Sequence, residues 1–164
     1  MNNLISVVVT CYNHEKYIEQ CLRSVFNQTY TNIELIVLDD GSTDSSTQII
    51  QEVLKDSPFE TKFETHENLG VVNNRNFGLE LIRGDYLLFV DSDNYLDADY
   101  VEQLCSKLTE TNADIVYCDL FNPEKEEFYL KSREFDLTAF LNTSFIDNCS
   151  LIRRSIIGNT RYDE

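Results

Sequence analysis

Asp91 and Asp93 stand two residues apart where an apolar run, Tyr86 to Val90, gives way to the polar turn Asp91-Ser92-Asp93-Asn94. In an extended loop alternate side chains point to one side, so these two carboxylates can share a hard divalent cation. Octahedral Mg2+ or Mn2+ held this way keeps positions open for diphosphate oxygens, and there it neutralises charge on a departing nucleotide. The competing reading is structural: both aspartates open the turn and cap a helix beginning near Asp97. A D-x-D by itself does not decide between the two.

Further groups fit the same chemistry. Asp39 and Asp40 lead into Gly41-Ser42-Thr43-Asp44, where a carboxylate can accept a hydrogen bond from a base imide N–H or a ribose hydroxyl. The alternative is an Asx-turn in which Ser42 or Asp44 caps the next helix. Tyr12, in Thr10-Cys11-Tyr12-Asn13, either stacks on a nucleobase or covers the core, and Thr10 is either a pocket residue or the end of a strand. Arg75 is the notable cation of Asn68 to Gly78. On the first turns of a helix, beside Asn73, Asn74 and Asn76, it can fork onto a phosphate or ribose, or serve only in a surface ion pair. His14 and His66 have no partners at ligand spacing and are expected at the surface. Glu124, Glu126 and Glu127 read as a solvated face.

The elements that must position these groups alternate. Leu4 to Thr10 is a nearly continuous β-branched run, expected of a strand covered on both faces. After Asn13, a candidate cap, Tyr17, Ile18, Cys21, Leu22, Val25 and Phe26 recur at helical spacing. Ile33 to Leu38 predicts a strand; Ile49, Ile50, Val53 and Leu54 predict a helix that ends at Pro58. Thr61 to Thr65 predicts a shorter strand, Val71 to Ile82 a helix terminated by Gly84, and Tyr86 to Val90 a buried strand. Asp97 can cap a helix carrying Tyr100, Val101, Leu104, Cys105 and Leu108, and Asp114 to Cys118 predicts a further strand. Beyond Phe121 lie a charged turn at Pro123 to Glu127, a strand at Phe128 to Leu130 and a short helix at Leu137 to Leu141. The pattern predicts an α/β fold, a mostly parallel sheet with helices on both faces joined by right-handed crossovers. In such sheets ligands sit outside the carboxyl ends of the strands, which is where all three polar turns fall.

Composition bounds the rest. With 164 residues and 42% apolar content the chain suits one domain. Its 29 acidic and 13 basic residues give a formal charge of -16, which repels nucleic acid and bare anionic membrane, although a metal ion can still bring a diphosphate to such a surface. Cys11, Cys21, Cys105, Cys118 and Cys149 form no C-x-x-C pair and read as reduced, mostly buried thiols. No apolar run is long enough to cross a bilayer, so no transmembrane segment is expected. The expected compartment is the cytoplasm, with a peripheral place at the inner face of the membrane as its variant.

Taken in order, Val7 to Asn13, Asp39 to Asp44, Asn68-Leu69-Gly70 through Arg75-Asn76-Phe77-Gly78, and Gly84-Asp85-Tyr86 through Asp91-Ser92-Asp93 resemble the family-two, inverting glycosyltransferases. The likeness covers roughly residues 4 to 120, and four linked motifs are far more specific than any one of them. It implies the GT-A (Rossmann-like) fold and transfer of a sugar, with inversion, from a nucleotide-diphosphate sugar, most simply UDP-linked, to a glycan or lipid-linked acceptor. The resemblance assigns Thr10, Tyr12, Asp39 and Asp40 to the base and ribose pocket, with Arg75 reaching the base or phosphate side. It puts Asp91 and Ser92 against the ribose and metal region, with Asp93, beside Asp91, as direct ligand of Mn2+ or Mg2+.

On this reading residues 1–120 form the nucleotide-sugar-binding part and residues 121–164 an incomplete acceptor side. The general base is expected beyond Glu164, since Asp163 and Glu164 resemble the approach to it and a terminal residue is seldom held rigidly. An incomplete acceptor side also leaves room for a non-catalytic binding or assembly module, with a homo-oligomer covering exposed apolar surface. A receiver-like phosphoacceptor domain is a third reading, but Asp114 to Cys118 leads into Asp119, Leu120 and Phe121 without the lysine such a site requires.

Overall fold

The computed structural model describes residues 3–123, 125–142 and 146–163; Glu124 and Glu164, named above, lie outside them. Four parallel strands form the centre: β1 (Ile5–Cys11), β2 (Ile33–Asp39), β3 (Glu60–Thr65) and β4 (Tyr86–Asp91). Their crossovers carry α1 (Ile18–Phe26), α2 (Ser46–Val53) with a 3-10 turn at Leu54–Asp56, and α3 (Gly70–Leu81). Then follow α4 (Tyr100–Thr111), β5 (Ile115–Val116), β6 (Leu120–Asn122), β7 (Glu127–Leu130), α5 (Leu137–Asn142), β8 (Leu151–Arg153) and α6 (Arg154–Ile157). The main sheet runs β3-β2-β1-β4-β8-β5, and β6 pairs with β7 apart from it. The α/β, GT-A-type expectation of a mostly parallel sheet is met. The exception is β8, antiparallel to both β4 and β5.

Alternation along the strands divides the core between two faces. Val7, Val9, Leu35, Val37, Leu88 and Val90 face one way and pack with Ile18, Leu22 and Val25 of α1, Ile50 and Val53 of α2, and Val101, Leu104 and Leu108 of α4. Val8, Ile36, Leu38, Leu87 and Phe89 face the other way, against Phe77, Leu79 and Leu81 of α3 and Ile157 and Tyr162 near the chain's end. Each such fully buried aliphatic side chain favours folding by about 2 kcal/mol over its exposed state, before conformational entropy opposes it. Successive strands step outward from β1 in opposite directions, β2 and β3 on one side and β4 on the other. The topological switch point of the sheet therefore falls between the carboxyl ends of β1 and β4, the place where open α/β sheets bind ligands.

Several local expectations are corrected. Tyr17 is 49% exposed and precedes α1 instead of joining its buried stripe. Asn13 does not cap α1; it sits at φ +56° and spends its side chain on the neighbouring loop. Nor does Asp97 supply the side-chain cap of α4, whose first turn starts at Tyr100 with Asp99 ahead of it. Gly84 is no helix terminator, because α3 ends at Leu81 and Ile82 is already extended. Instead, a Cβ at Gly84 would lie 2.7 Å from the Leu4 carbonyl oxygen and the Ser6 nitrogen, so only glycine lets the chain pass β1 here. The strand expected over Asp114 to Cys118 pairs only at Ile115–Val116. No helix among the described residues is long and apolar enough to cross a membrane.

Candidate functional site

The register of the sheet brings the polar turns together before any side chain is considered. Thr10 lies opposite Asp91, Cys11 opposite Asp39, and Asp39 opposite Thr65. The loops then bond to one another. Asn13 N donates to Ser42 Oγ at 2.9 Å, Thr43 N to Asn13 Oδ1 at 2.7 Å, and Ser92 N to the Thr10 carbonyl at 3.1 Å. Glu15 N donates to Asp44 Oδ2 at 3.0 Å, while Ser46 N donates to Asp44 Oδ1 at 2.9 Å. Burial works against ionisation of Asp44, but these donors outweigh it and hold the carboxyl below its ordinary value. Gly41 makes the turn possible: at φ +73°, its missing Cβ would stand 2.7 Å from Asn68 N.

The carboxylates of this rim differ in what they touch. Asp40 is buried, and its two oxygens accept Leu69 N at 2.8 Å and Gly70 N at 3.1 Å, capping the start of α3. Neighbouring Asp39, 1% exposed, accepts Thr47 Oγ1 at 2.7 Å and Thr65 Oγ1 at 3.2 Å through Oδ2. Its Oδ1 is buried and has no partner among the described residues, a costly arrangement that calls for an acceptor's missing donor. Asp91 Oδ1 accepts Arg75 Nη2 at 2.7 Å and Thr10 Oγ1 at 3.2 Å. Asp93 is exposed, and Tyr12 leaves 45% of its surface open at the same rim.

Arg75 is not a surface residue. Its side chain is 13% exposed, and its Nε is buried without a partner among the described residues. Ser92 is also buried, with its hydroxyl 2.7 Å from His14 Nδ1. Thus the expectation that both histidines lie at the surface is overturned. His14 braces the turn between Asp91 and Asp93, while His66 lies 3.4 Å from Asp40 Oδ1 and 3.2 Å from Asn74 Oδ1. Sequence spacing could not find them, because their partners are 78 residues away for His14 and 26 for His66 to Asp40.

No group of three or more His, Cys, Asp or Glu side chains converges as a metal cluster among the described residues. Asp91 and Asp93 would therefore offer two carboxylates and leave the remaining positions of a six-oxygen shell to phosphate and water. This donor set suits Mg2+ or Mn2+ and not zinc, which prefers nitrogen and sulfur. The buried thiols do not compete: burial raises the pKa of Cys11, Cys21 and Cys149 and keeps all three protonated.

Comparison with known proteins fits this geometry. The chain is 41% identical over 165 residues to an uncharacterized glycosyltransferase of Haemophilus influenzae, covering 97% of this chain and 66% of the relative. It is 36% identical over 152 residues to glycosyltransferase GlyA of Streptococcus pneumoniae, covering 90% of this chain but 22% of GlyA. The chain thus spans between about a fifth and two thirds of the length of these relatives. Among solved structures, S. aureus TarS superposes with a TM-score of 0.75 at 25% identity, over 95% of this chain and 48% of that one. The same TarS fragment has also been solved with UDP-GlcNAc. The family model for glycosyl transferase family 2 matches residues 6–160, and the chain belongs to that family.

Proposed function

We propose that the rim binds a nucleotide-diphosphate sugar, UDP-linked, through a divalent metal, and that the protein transfers the sugar with inversion to a glycan or lipid-linked acceptor. One observation carries the reading: the carboxyl ends of β1 and β4 and the helix α3, far apart in sequence, converge at the switch point, bringing Thr10, Asp91 and Arg75 into one hydrogen-bonded unit beside buried Asp40.

Each residue has a task there. Tyr12 offers an exposed ring on which a base can stack. Asp40 uses one bond per oxygen to cap α3, and a carboxylate has about four acceptor sites, so it retains capacity for the imide N–H of uracil. Asp39 stiffens this corner through Thr47 and Thr65. Arg75, already ionically held by Asp91, can turn a remaining Nη1 hydrogen to a ribose or phosphate oxygen as the nucleotide enters. Ser92, held by His14, fixes the turn that carries Asp91 and Asp93. The metal, held by Asp93 and Asp91, would supply charge neutralisation on the leaving diphosphate. Residues 1–120 are the donor-binding part on this reading, and residues 121–164 begin the acceptor side. Deprotonation of the acceptor hydroxyl is assigned to none of the described residues. A lipid-linked acceptor would bring the protein to the inner face of the membrane.

Calorimetry tests the reading. UDP should bind with Mn2+ present and much more weakly without it, and Asp93→Ala should remove the metal-dependent part, a loss of about a hundredfold or more. Binding indifferent to both metal and Asp93 would overturn it.

A further inference from the structure

Arg75 receives support from a part of the chain that the donor-site motifs do not include. With its amide oriented so that the oxygen faces the guanidinium, Asn148 accepts Arg75 Nη2 at 2.9 Å and Nη1 at 3.1 Å. The guanidinium carbon also lies over the Tyr162 ring, 5.8 Å from its centre. Tyr162 is itself fixed at two levels. Asn76, the residue after Arg75 on α3, clasps its backbone by accepting Tyr162 N at 2.9 Å and donating to the Tyr162 carbonyl at 3.1 Å. The ring also meets Phe89 edge-on at 6.1 Å. Phe89 and Asp91 alternate onto the same face of β4, so the strand that anchors Tyr162 also carries the carboxylate that Arg75 meets.

We infer that Tyr162 and Asn148 are positioning residues for donor binding: they hold the Arg75 guanidinium in the orientation that meets Asp91. An arginine side chain has large rotamer freedom, and fixing it before the ligand arrives removes that cost from the binding step. A guanidinium that meets both an aromatic ring and an amide oxygen is restrained in plane as well as position. The acceptor-side segment therefore takes part in donor affinity without touching the donor. Asn76 makes the coupling local, because the same turn of α3 presents the arginine and grips the segment that steadies it.

This inference rests on the donor-site reading above, and the test separates the two. UDP affinity in the presence of Mn2+ is measured by calorimetry for the wild type, Tyr162→Phe, Tyr162→Leu and Asn148→Ala, with thermal unfolding of each as a check on folding. Tyr162→Phe keeps the ring and should bind as the wild type does. Tyr162→Leu should lose about tenfold and Asn148→Ala about threefold, the scale expected when pre-organisation rather than a ligand contact is removed.

A second readout needs no donor. The Arg75 Nε–H resonance, identified by its loss in Arg75→Lys, should be displaced by the ring current of Tyr162 in the wild type and in Tyr162→Phe, and should move toward its ordinary position in Tyr162→Leu. If Tyr162→Leu does not fold, Asn148→Ala decides the matter, since that partly exposed amide can be removed without opening the core. Wild-type affinity in both truncating variants, or an unmoved Arg75 resonance, overturns the inference while leaving the donor site intact. Absence of UDP binding in the wild type itself overturns both.

Discussion

The sheet buries carboxylates at both ends, and the two ends treat them differently. At the amino end, Glu34 of β2 is 3% exposed and fully engaged. It accepts Ser6 Oγ at 2.5 Å, Arg83 N at 2.6 Å, Arg83 Nε at 2.7 Å and Gly84 N at 3.0 Å. Burial works against its ionisation, but the four donors outweigh that and lower its pKa. At the carboxyl end, Asp39 leaves one buried oxygen unpartnered among the described residues, Asp91 shares a single oxygen between Arg75 and Thr10, and Asp93 faces solvent. A carboxylate whose acceptor capacity is filled by the protein ties the fold together. One whose capacity is left open is held ready for something else, and the fold accepts the cost.

Substitutions at each end can break that contrast. Glu34→Ala should destabilise the protein by about 3 kcal/mol, since it strips the buried Ser6 hydroxyl and Arg83 N of their acceptor while Gly84 N keeps only Ser6 Oγ, and should leave UDP affinity unchanged; chemical denaturation and calorimetry measure the two. Because the folded pKa of Glu34 lies below its ordinary value of 4.5, its contribution is complete above that value and is lost as the pH falls through the lowered one. The stability gap between wild type and variant should therefore narrow in acid. Asp40→Ala sharpens the comparison, because Asp40 caps α3 and on the proposed reading would also meet the base. It should cost about 1 kcal/mol through loss of the α3 cap and, unlike Glu34→Ala, weaken UDP as well. A variant that lost only stability would move Asp40 into the structural class.

Much of this arrangement was legible in the sequence because it depends on short-range pattern. Continuous β-branched runs such as Val7-Val8-Val9 mark strands buried on both faces, and parallel register then aligns their ends, so Thr10, Asp40 and Asp91 fall at one rim. What escaped the sequence depends on long-range contact. The three residues of β8 are too few to show a period, yet Leu151 is fully buried between β4 and β5. His14 and His66 carry no local signal and gain their places from Ser92 and Asp40. Tyr162 carries no local signal either, yet the Asn76 clasp and the Phe89 ring set it 5.8 Å from the Arg75 guanidinium.

The central claim is that the Asp91 and Asp93 turn, with the Tyr12 and Asp40 loops, forms a single metal-dependent cradle for a sugar nucleotide. A crystal soaked with UDP and Mn2+, with data collected at the manganese edge, tests it most directly. The account expects one anomalous peak between Asp93 and the diphosphate, near Asp91, with the uracil ring against Tyr12 and its imide at Asp40. Manganese bound elsewhere, or UDP seated away from the carboxyl ends of β1 and β4, would contradict it.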